Sequence, residues 1–241
     1  MMTAAGVRYV IYDLDGLLLN TETFYTQASQ IIAARFGKVF DWSVKSRMMG
    51  KRAADSARIF TAALRLPLTP AEYLEERKAL LEALFPKAEP MPGALRLTRH
   101  LHAHGVPQAV ATSSDRRHFE LKTGHHRQWL GIFNCIVIGD EPEVKRGKPA
   151  PDIFLLAARR LKAEPSQCLV FEDSPAGLQG ALAAGMHTVA VPDPHMNTGA
   201  FEGAHQILTS LEHFDPGGWD LPPYQAGEEG SHEELSQGAG I

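Results

Sequence analysis

Hydrophobic and polar positions alternate along the chain in blocks that predict strands separated by helices. Five short apolar runs are typical of buried strands, and they cover residues 9–12, 107–111, 136–138, 169–171 and 188–191. Amphipathic segments separate most of these runs. This alternation indicates a parallel sheet covered by helices on both faces. We therefore predict an α/β fold with a doubly wound, Rossmann-like parallel sheet.

The connection between the first two predicted strands is much longer than one crossover helix requires. About 95 residues separate Tyr12 from Pro107, whereas a crossover takes about a dozen. Helical periodicity runs through residues 20–88 of this connection. We predict that residues 20–88 form a small helical domain, inserted into a core of residues 1–19 and 89–215.

The end of the chain differs in composition from the rest. Beyond Pro216 the sequence is rich in Gly, Glu, Ser and Pro, and the final residues contain little apolar surface. Such segments do not bury enough surface to offset the entropy of ordering. We therefore predict that residues 216–241 are disordered.

Composition narrows the class of protein further. The chain has 241 residues, of which 44% are hydrophobic, and 24 basic against 28 acidic residues give a net charge of −4. This balance disfavours a nucleic-acid polymer as partner. Its two cysteines, Cys135 and Cys168, lie in or beside apolar runs and are expected to be core thiols. Without a membrane-length apolar stretch or a signal-peptide pattern, we expect a cytoplasmic monomer that does not bind membranes.

Polar residues with reactive groups follow or lie beyond four of the predicted strands. The carboxyl ends of parallel strands meet at one crevice of an open sheet, so these side chains are expected to come together. They are Asp13, Asp15, Thr112, Ser113, Lys148, Glu172 and Asp173. The strands therefore predict one site that combines carboxylates, hydroxyls and a lysine.

This set of groups is suited to a phosphate ester. The carboxylates of Asp13 and Asp173 are hard oxygen ligands of the kind that Mg²⁺ prefers, together with waters and a substrate phosphate. Lys148 and Thr112 supply a cation and a hydroxyl for the remaining phosphate oxygens. Hydrolysis of a phosphate monoester is extremely slow in water, so positioning and charge neutralisation must provide most of the rate acceleration.

Four segments, in this order and spacing, resemble the four motifs of the haloacid dehalogenase superfamily of phosphatases. They are Asp13-Leu14-Asp15-Gly16, Thr112-Ser113, Lys148 in GKPAPDIF, and Glu172-Asp173 in FEDSPAGLQGALAAG. The resemblance covers residues from about 7 to 213. It implies the haloacid dehalogenase core and, because the insertion follows the first motif, a type-1 helical cap at residues 20–88.

The resemblance implies roles for the acidic residues. Asp13 would be the nucleophile that forms an aspartyl-phosphate, and Asp15 would protonate the leaving alkoxide and then activate water. Asp13, the carbonyl of Asp15, and Asp173 would bind Mg²⁺. Glu172 would orient a metal-bound water, although it is alternatively a structural partner only.

The resemblance also implies a phosphate-binding set. Lys148 would pair with Asp13 and the phosphoryl group, and Thr112 and Ser113 would contact the phosphoryl oxygens. Two alternatives stay open: Lys148 is a solvated surface lysine, and Thr112 and Ser113 simply cap a helix.

The cap is expected to recognise the leaving group. Glu22 either faces substrate hydroxyls or caps a helix, and Lys51 and Arg52 either contact a polar substrate or are solvated. Asn20 stands where relatives usually carry an aspartate. Asparagine keeps the oxygen that caps the turn but loses the charge.

Longer segments resemble one subgroup, the pseudouridine-5′-phosphatases and the similar glycerol-3-phosphate phosphatases. These segments are DWSVKSRMMGKRA, HFELKTGHH and GDEPEVKRGKPAPDIF. We therefore predict a Mg²⁺-dependent phosphatase of a small phosphomonoester, with pseudouridine 5′-phosphate placed before glycerol 3-phosphate. Two alternatives are a β-phosphoglucomutase-like isomerase and a non-catalytic protein that binds a phosphorylated ligand.

Overall fold

A computed structural model describes residues 6–48 and 53–225 of the chain, so the predicted cap residues Lys51 and Arg52 lie outside the described residues. Six parallel strands form one sheet in the order β3-β2-β1-β4-β5-β6. The strands are Tyr9–Tyr12 (β1), Gln108–Ala111 (β2), Cys135–Val137 (β3), Cys168–Glu172 (β4), His187–Ala190 (β5) and Gln206–Ile207 (β6). The first five lie within one residue of the predicted runs, and β6 is a two-residue edge strand without a run of its own.

The strand order confirms the predicted doubly wound α/β fold. In the central strand β1, Ile11 pairs with Ala109 of β2 on one side and with Val170 of β4 on the other. The chain therefore winds outward from β1 in both directions. The crevice of such a sheet lies beyond the carboxyl ends of its strands, at the point where the winding reverses.

Helices cover both faces of the sheet and fill the long connection after β1. Among the described residues, five helices lie between β1 and β2: Glu22–Ala34 (α1), Trp42–Met48 (α2), Ala53–Ala63 (α3), Pro70–Leu84 (α4) and Ala94–Ala103 (α5). Four more lie beyond β2: Arg116–Thr123 (α6), Arg127–Leu130 (α7), Asp152–Leu161 (α8) and Pro175–Ala183 (α9). Short 3₁₀-helices are Phe85–Lys87, Pro165–Gln167, Thr198–Phe201, Leu211–His213 and Pro216–Trp219. Among the described residues, no helix has the length and apolar character needed to cross a membrane.

The sheet and the first helices have separate hydrophobic cores. Alternate residues of β1 point to opposite faces of the sheet, so Tyr12 packs in one core cluster and Ile11 in another. Helices α1, α3 and α4 bury Ile32, Phe60 and Tyr73 in a third cluster. A core of their own is what an inserted domain requires, and the boundaries at residues 20 and 88 stay a prediction.

The chain enters and leaves these helices through two adjacent segments. The N–H of Asn20 donates to the carbonyl of Glu89 at 2.9 Å, and the N–H of Met91 donates to the carbonyl of Leu18 at 2.9 Å. The two segments therefore run side by side where the core meets the helices. Asn20, the departure from the family pattern, lies directly on this hinge.

The prediction that disorder begins at residue 216 is wrong for residues 216–225. Pro216–Trp219 is a 3₁₀-helix, and Trp219 and Leu221 are buried in the core cluster beside the sheet. The indole Nε1 of Trp219 donates to Gln206 Oε1 at 2.8 Å. A few apolar residues suffice here because they pack on an existing core rather than building one. Residues 226–241 lie outside the described part of the chain.

Candidate active site

Three strand ends bring the predicted polar residues to one edge of the sheet. The N–H of Asp13, directly after β1, donates to the carbonyl of Phe171 in β4 at 3.0 Å. The N–H of Thr112, directly after β2, donates to the carbonyl of Val137 in β3 at 3.0 Å. Glu172 is the last residue of β4. Because these strands are adjacent and parallel, the loops that follow them meet in the crevice.

Lys148 reaches into this crevice and joins two of its carboxylates. Its Nζ contacts Asp13 Oδ1, lies 2.6 Å from Glu172 Oε1 and donates to the carbonyl of Ala111 at 3.1 Å. The lysine side chain and both carboxylates are buried. A buried ammonium is tolerated only where acceptors surround it, as they do here. The alternative of a solvated Lys148 is therefore wrong.

Negative charge exceeds positive charge around Asp13. The pKa of Asp13 is raised to about 7, mainly by burial. Lys148 lowers this pKa, but only in part, since the charges of Glu172 and Asp15 raise it as well. Burial opposes the charge of Lys148, yet Asp13 and Glu172 raise its pKa above the usual value. Lys148 therefore stays protonated, while Asp13 sits where a further cation would stabilise its carboxylate.

The second oxygen of Glu172 is also occupied. Oε2 accepts hydrogen bonds from the N–H of Ser174 at 3.2 Å and from its hydroxyl at 3.0 Å. Gly177 on α9 lies so close that a Cβ there would stand 1.9 Å from Oε1 of Glu172. In this structure Glu172 holds Lys148 and the start of α9, which is the structural role left open above. Its predicted contact with a metal-bound water remains a prediction.

Asp15 has a different environment, in which donors surround the carboxylate. Oδ1 accepts from the Thr21 hydroxyl at 2.7 Å and from Lys122 Nζ at 2.5 Å. Oδ2 accepts from the Ser114 hydroxyl at 2.8 Å and from the Thr112 hydroxyl at 3.2 Å. Burial alone would raise the pKa of Asp15, but Lys122 and the hydroxyls lower it below the usual value. Asp15 is thus held as an ionised carboxylate.

The two predicted phosphate-binding hydroxyls occupy different positions. Thr112 is fully buried, donates to Asp15, and accepts a hydrogen bond from the N–H of Ser114 at 3.0 Å. Ser113 is exposed. The structure therefore places the Thr112 hydroxyl on Asp15, and the predicted contact of Ser113 with a phosphate stays a prediction. Neither residue caps α6, because Asp115 accepts from the N–H of His118 in that role.

Sequence reasoning missed three of the four donors to Asp15. Ser114 belongs to the Thr-Ser-Ser run after β2, so its place at the strand end was a usable signal. Thr21 follows the hinge residue Asn20 and gives no separate signal. Lys122 lies on α6, where its side chain is only 1% exposed. Nothing in a single sequence distinguishes such a lysine from the many that extend along a surface.

The remaining predicted oxygen ligand, Asp173, lies beside Gly16. A Cβ on Gly16 would lie 2.3 Å from Asp173 Oδ2, and Gly16 has a φ of +81°, so only glycine fits this turn without strain. Within the described residues, no side chain donates a hydrogen bond to Asp173. Burial, with the charges of Asp13 and Glu172, raises the pKa of Asp173.

These observations fit a hard cation. Two crowded carboxylates, from Asp13 and Asp173, and the main-chain carbonyl of Asp15 supply oxygen donors of the type that Mg²⁺ uses. Across residues 6–48 and 53–225, no three His, Cys, Asp or Glu side chains converge on a common metal position. The predicted set does not require that, because it uses two carboxylates and one carbonyl.

A cavity of about 310 Å³ opens beside Asp173, between the hinge and the loops after β5 and β6. Glu22, Lys45 and Asp193 are among its lining residues. Glu22 is also the first residue of α1, where an acidic side chain interacts favourably with the helix dipole. Glu22 is thus not the N-cap of α1, which is Thr21, and its contact with substrate hydroxyls stays a prediction.

Comparisons with known proteins agree on one family. The sequence profile of the haloacid dehalogenase-like hydrolases matches residues 7–185. The chain is 49% identical over 225 residues to (DL)-glycerol-3-phosphatase 2 of Arabidopsis thaliana, covering 91% of this chain and 94% of that protein. It is 44% identical over 221 residues to the probable pseudouridine-5′-phosphatase of Drosophila melanogaster, covering 90% and 96%.

A solved structure shows the same fold. A haloacid dehalogenase family hydrolase from Deinococcus radiodurans R1, solved with bound phosphate and sodium, superposes with a TM-score of 0.79 at 27% identity. The match covers 91% of this chain and 100% of that one. The sequence and structure comparisons thus agree on the core and on the helices inserted after its first strand.

Proposed function

Because the chain belongs to the haloacid dehalogenase-like hydrolases and is a phosphomonoesterase, we propose that it hydrolyses a small, hydroxyl-bearing phosphomonoester through an aspartyl-phosphate on Asp13, with Mg²⁺ as cofactor. The observation that carries this proposal is the meeting of Asp13, Lys148, Glu172 and Asp15 at one edge of the sheet. These groups provide a nucleophile, a fixed positive charge and an acid–base group.

In the first step, a carboxylate oxygen of Asp13 attacks the phosphorus, and the bond from phosphorus to the leaving oxygen breaks. The leaving alkoxide takes a proton from Asp15 and departs as an alcohol. Lys148 stays charged beside Asp13 and offsets negative charge on the phosphoryl oxygens while the phosphoryl group is transferred to Asp13. Ser113, which is exposed in the loop after β2, is proposed to donate to those oxygens.

In the second step, Asp15 removes a proton from a water molecule whose oxygen attacks the phosphorus. The bond between phosphorus and Asp13 breaks, which releases inorganic phosphate and restores both aspartates. The lowered pKa of Asp15 keeps it ionised, and the ionised form is the one that can accept a proton in this step. To act as the acid of the first step, Asp15 must be protonated and turned toward the substrate.

Mg²⁺ is the cofactor of this proposal, held by Asp13, Asp173 and the carbonyl of Asp15. When bound, it would neutralise part of the negative charge that the phosphate and Asp13 bring together. Burial raises the pKa of Asp13 and of Asp173, the charges of Glu172 and Asp15 add to the effect at Asp13, and the charges of Asp13 and Glu172 add to it at Asp173. The protein itself thus leaves both carboxylates short of positive charge.

The cavity beside Asp173 supports a neutral leaving group with hydroxyls. Among the described lining residues, Lys45 is a cation, whereas Glu22, Asp193 and Glu212 are acidic. Carboxylates accept hydrogen bonds from hydroxyls and repel a second phosphate. Glycerol 3-phosphate and pseudouridine 5′-phosphate both meet this description, and the names of the relatives point to the same two compounds.

A kinetic screen tests the proposed function and its alternatives. With Mg²⁺, phosphate release is compared for glycerol 3-phosphate, pseudouridine 5′-phosphate, flavin mononucleotide, hexose phosphates and a sugar bisphosphate, and Asp13→Asn is the matched control. We expect kcat/KM for one of the first two to exceed that for a sugar bisphosphate by at least about tenfold. Conversion of a sugar 1-phosphate to its isomer without free phosphate would instead identify a mutase. Inertness toward every compound would favour a non-catalytic binding protein.

We further propose that the enzyme acts as a monomer in the cytoplasm. Cys135 and Cys168 are free thiols, which a reducing compartment maintains. Light scattering on the purified full-length chain tests the monomer. Cell fractionation tests the location, and recovery in a sealed organelle would contradict it.

A further inference from the structure

The geometry points to Lys122 as a positioning residue for Asp15, which fixes the acid–base carboxylate at the sheet edge and ties it to the segment where the helical insertion ends. This inference rests on the proposed function, because it takes Asp15 as the group that moves the proton. Lys122 belongs to none of the four motifs and lies on α6, outside the loops that follow the strands.

Among the described residues, the ammonium of Lys122 contacts one charged group, the carboxylate of Asp15, and one hydroxyl, that of Ser114. Nζ lies 2.5 Å from Asp15 Oδ1 and 2.8 Å from the hydroxyl of Ser114, which itself lies 2.8 Å from Asp15 Oδ2. The three groups form a closed ring of contacts. Such a ring restricts rotation of the carboxylate far more than one ion pair does, because moving either oxygen breaks more than one hydrogen bond.

The burial of Lys122 is costly and therefore informative. Its side chain is 1% exposed, although a lysine usually keeps its ammonium in water. The other group facing the ammonium is the ring of Phe85, whose centroid lies 4.3 Å from Nζ. An aromatic face attracts a cation and at the same time excludes water from it. The ammonium of Lys122 is thus shielded from water, and the carboxylate of Asp15 balances its charge.

Phe85 also connects this arrangement to the inserted helices. It is buried at the start of the 3₁₀-helix that follows α4, immediately before the chain returns to the core. Asp15 is held from the other side by Thr21, at the start of α1. The carboxylate is therefore held directly by Thr21 at the start of the insertion, and Lys122 links it to Phe85 at the end.

The two buried lysines of the site are expected to affect different steps. Lys148 contacts the nucleophile Asp13, so its loss impairs transfer of the phosphoryl group itself. Lys122 contacts Asp15, so its loss impairs the proton transfers. Departure of an alkoxide needs a proton, whereas departure of a stabilised phenolate does not. Attack by water needs the base in both cases.

The test uses this difference in the full-length protein with Mg²⁺. Lys122→Met removes the charge and keeps the length of the side chain, and Ser114→Ala removes one contact of the ring. Thr123→Val is the matched control, because Thr123 is a buried neighbour on α6 whose hydroxyl donates to the carbonyl of Phe119. Each variant is assayed with glycerol 3-phosphate and p-nitrophenyl phosphate, in the steady state and by rapid mixing, alongside its thermal unfolding.

For Lys122→Met we expect kcat with glycerol 3-phosphate to fall by about 10²-fold. With p-nitrophenyl phosphate we expect a rapid burst of nitrophenolate, about one per enzyme, followed by slow turnover, because the aspartyl-phosphate forms normally and hydrolyses slowly. Ser114→Ala is expected to show the same pattern to a smaller degree. Thr123→Val is expected to keep wild-type rates with both substrates.

The inference is overturned if Lys122→Met slows both substrates equally, with no burst, in proportion to lost folding stability. If Lys122→Met does not fold, Ser114→Ala decides, and wild-type behaviour of that variant overturns the inference. Failure of the proposed function gives a different result: the wild type releases no phosphate, or Asp15→Asn keeps full activity.

Discussion

Two buried lysine–aspartate pairs lie on either side of the same loop, and their environments have opposite effects. Lys148 contacts Asp13 but must also neutralise Glu172, so two buried carboxylates share one ammonium. Lys122 contacts Asp15, which three hydroxyls also hold. The pKa of Asp13 is accordingly raised to about 7 by burial, whereas the pKa of Asp15 is lowered.

This difference shows that a salt bridge alone does not determine the state of a buried carboxylate. What matters is the balance between burial, neighbouring acids and donors. Excess negative charge makes the Asp13 side suited to a metal ion and a phosphoryl group. Because hydrogen-bond donors surround Asp15, its side chain stays an ionised carboxylate that can accept a proton. Variants of the two aspartates and of the two lysines are therefore expected to affect different properties of the enzyme.

The largest effect is expected from Asp13→Asn. The amide has no nucleophilic oxygen of comparable strength, so turnover should fall by at least about 10⁴-fold with every substrate. The change keeps the shape of the side chain, and circular dichroism is expected to report an intact fold. Residual activity near that of the wild type would show that Asp13 is not the nucleophile.

Asp15→Asn is expected to cost less and to depend on the substrate. Loss of general acid–base catalysis should lower kcat with glycerol 3-phosphate by about 10²- to 10⁴-fold. With p-nitrophenyl phosphate, the first nitrophenolate should still be released quickly, as measured in a stopped-flow instrument. Equal slowing of the first release with both substrates would assign Asp15 a role in phosphoryl transfer instead.

The two lysines are expected to differ in their contribution to stability. Lys148→Met removes the shared cation from two buried carboxylates, and breaking such a buried pair costs about 3–5 kcal/mol of unfolding free energy. Lys122→Met should cost less, because Asp15 is 20% exposed and keeps three hydroxyl donors. Urea unfolding of both variants without Mg²⁺ measures the difference. A larger loss for Lys122→Met would reverse the comparison.

A smaller effect is expected from pH on the binding of Mg²⁺. Because the pKa of Asp13 is raised to about 7, its proton competes with the metal below that pH. The apparent affinity for Mg²⁺ should therefore fall by roughly tenfold per unit as the pH drops below about 7, and level off above it. Calorimetric titration without substrate measures this. The same experiment on Asp13→Asn is the control, and an unchanged pH dependence there would assign the proton elsewhere.

The fold was largely predictable because its strands and strand ends are visible in the local pattern of apolar and polar residues. Each of the first five strands is a short apolar run, and the polar residues that end β1, β2 and β4 reach the same edge once the strands are parallel. The order of Trp219 and Leu221 was not predictable in the same way. Trp219 and Leu221 are buried against a core surface formed by the rest of the chain, and the composition of the C-terminal segment gives no information about that surface.

The residues of the site likewise differ in whether the sequence predicts them. Asp13 and Glu172 were predictable because they belong to motifs at strand ends, and Lys148 because it belongs to the GKPAPDIF motif before α8. The structure brings the three together. Lys122 was not, since its position depends on how α6 turns toward Phe85 and the first loop. The contact of Thr112 with Asp15, rather than with the open crevice, is likewise a matter of tertiary geometry.

The most direct test of the central claim is the chemical identity of the intermediate. Asp15→Asn, mixed with p-nitrophenyl phosphate and Mg²⁺, is quenched in acid within the burst, digested, and analysed by tandem mass spectrometry. The mechanism predicts phosphate on the peptide that contains Asp13, and on Asp13 itself. A burst of nitrophenolate with phosphate on another residue, or with no phosphorylated peptide, would contradict it.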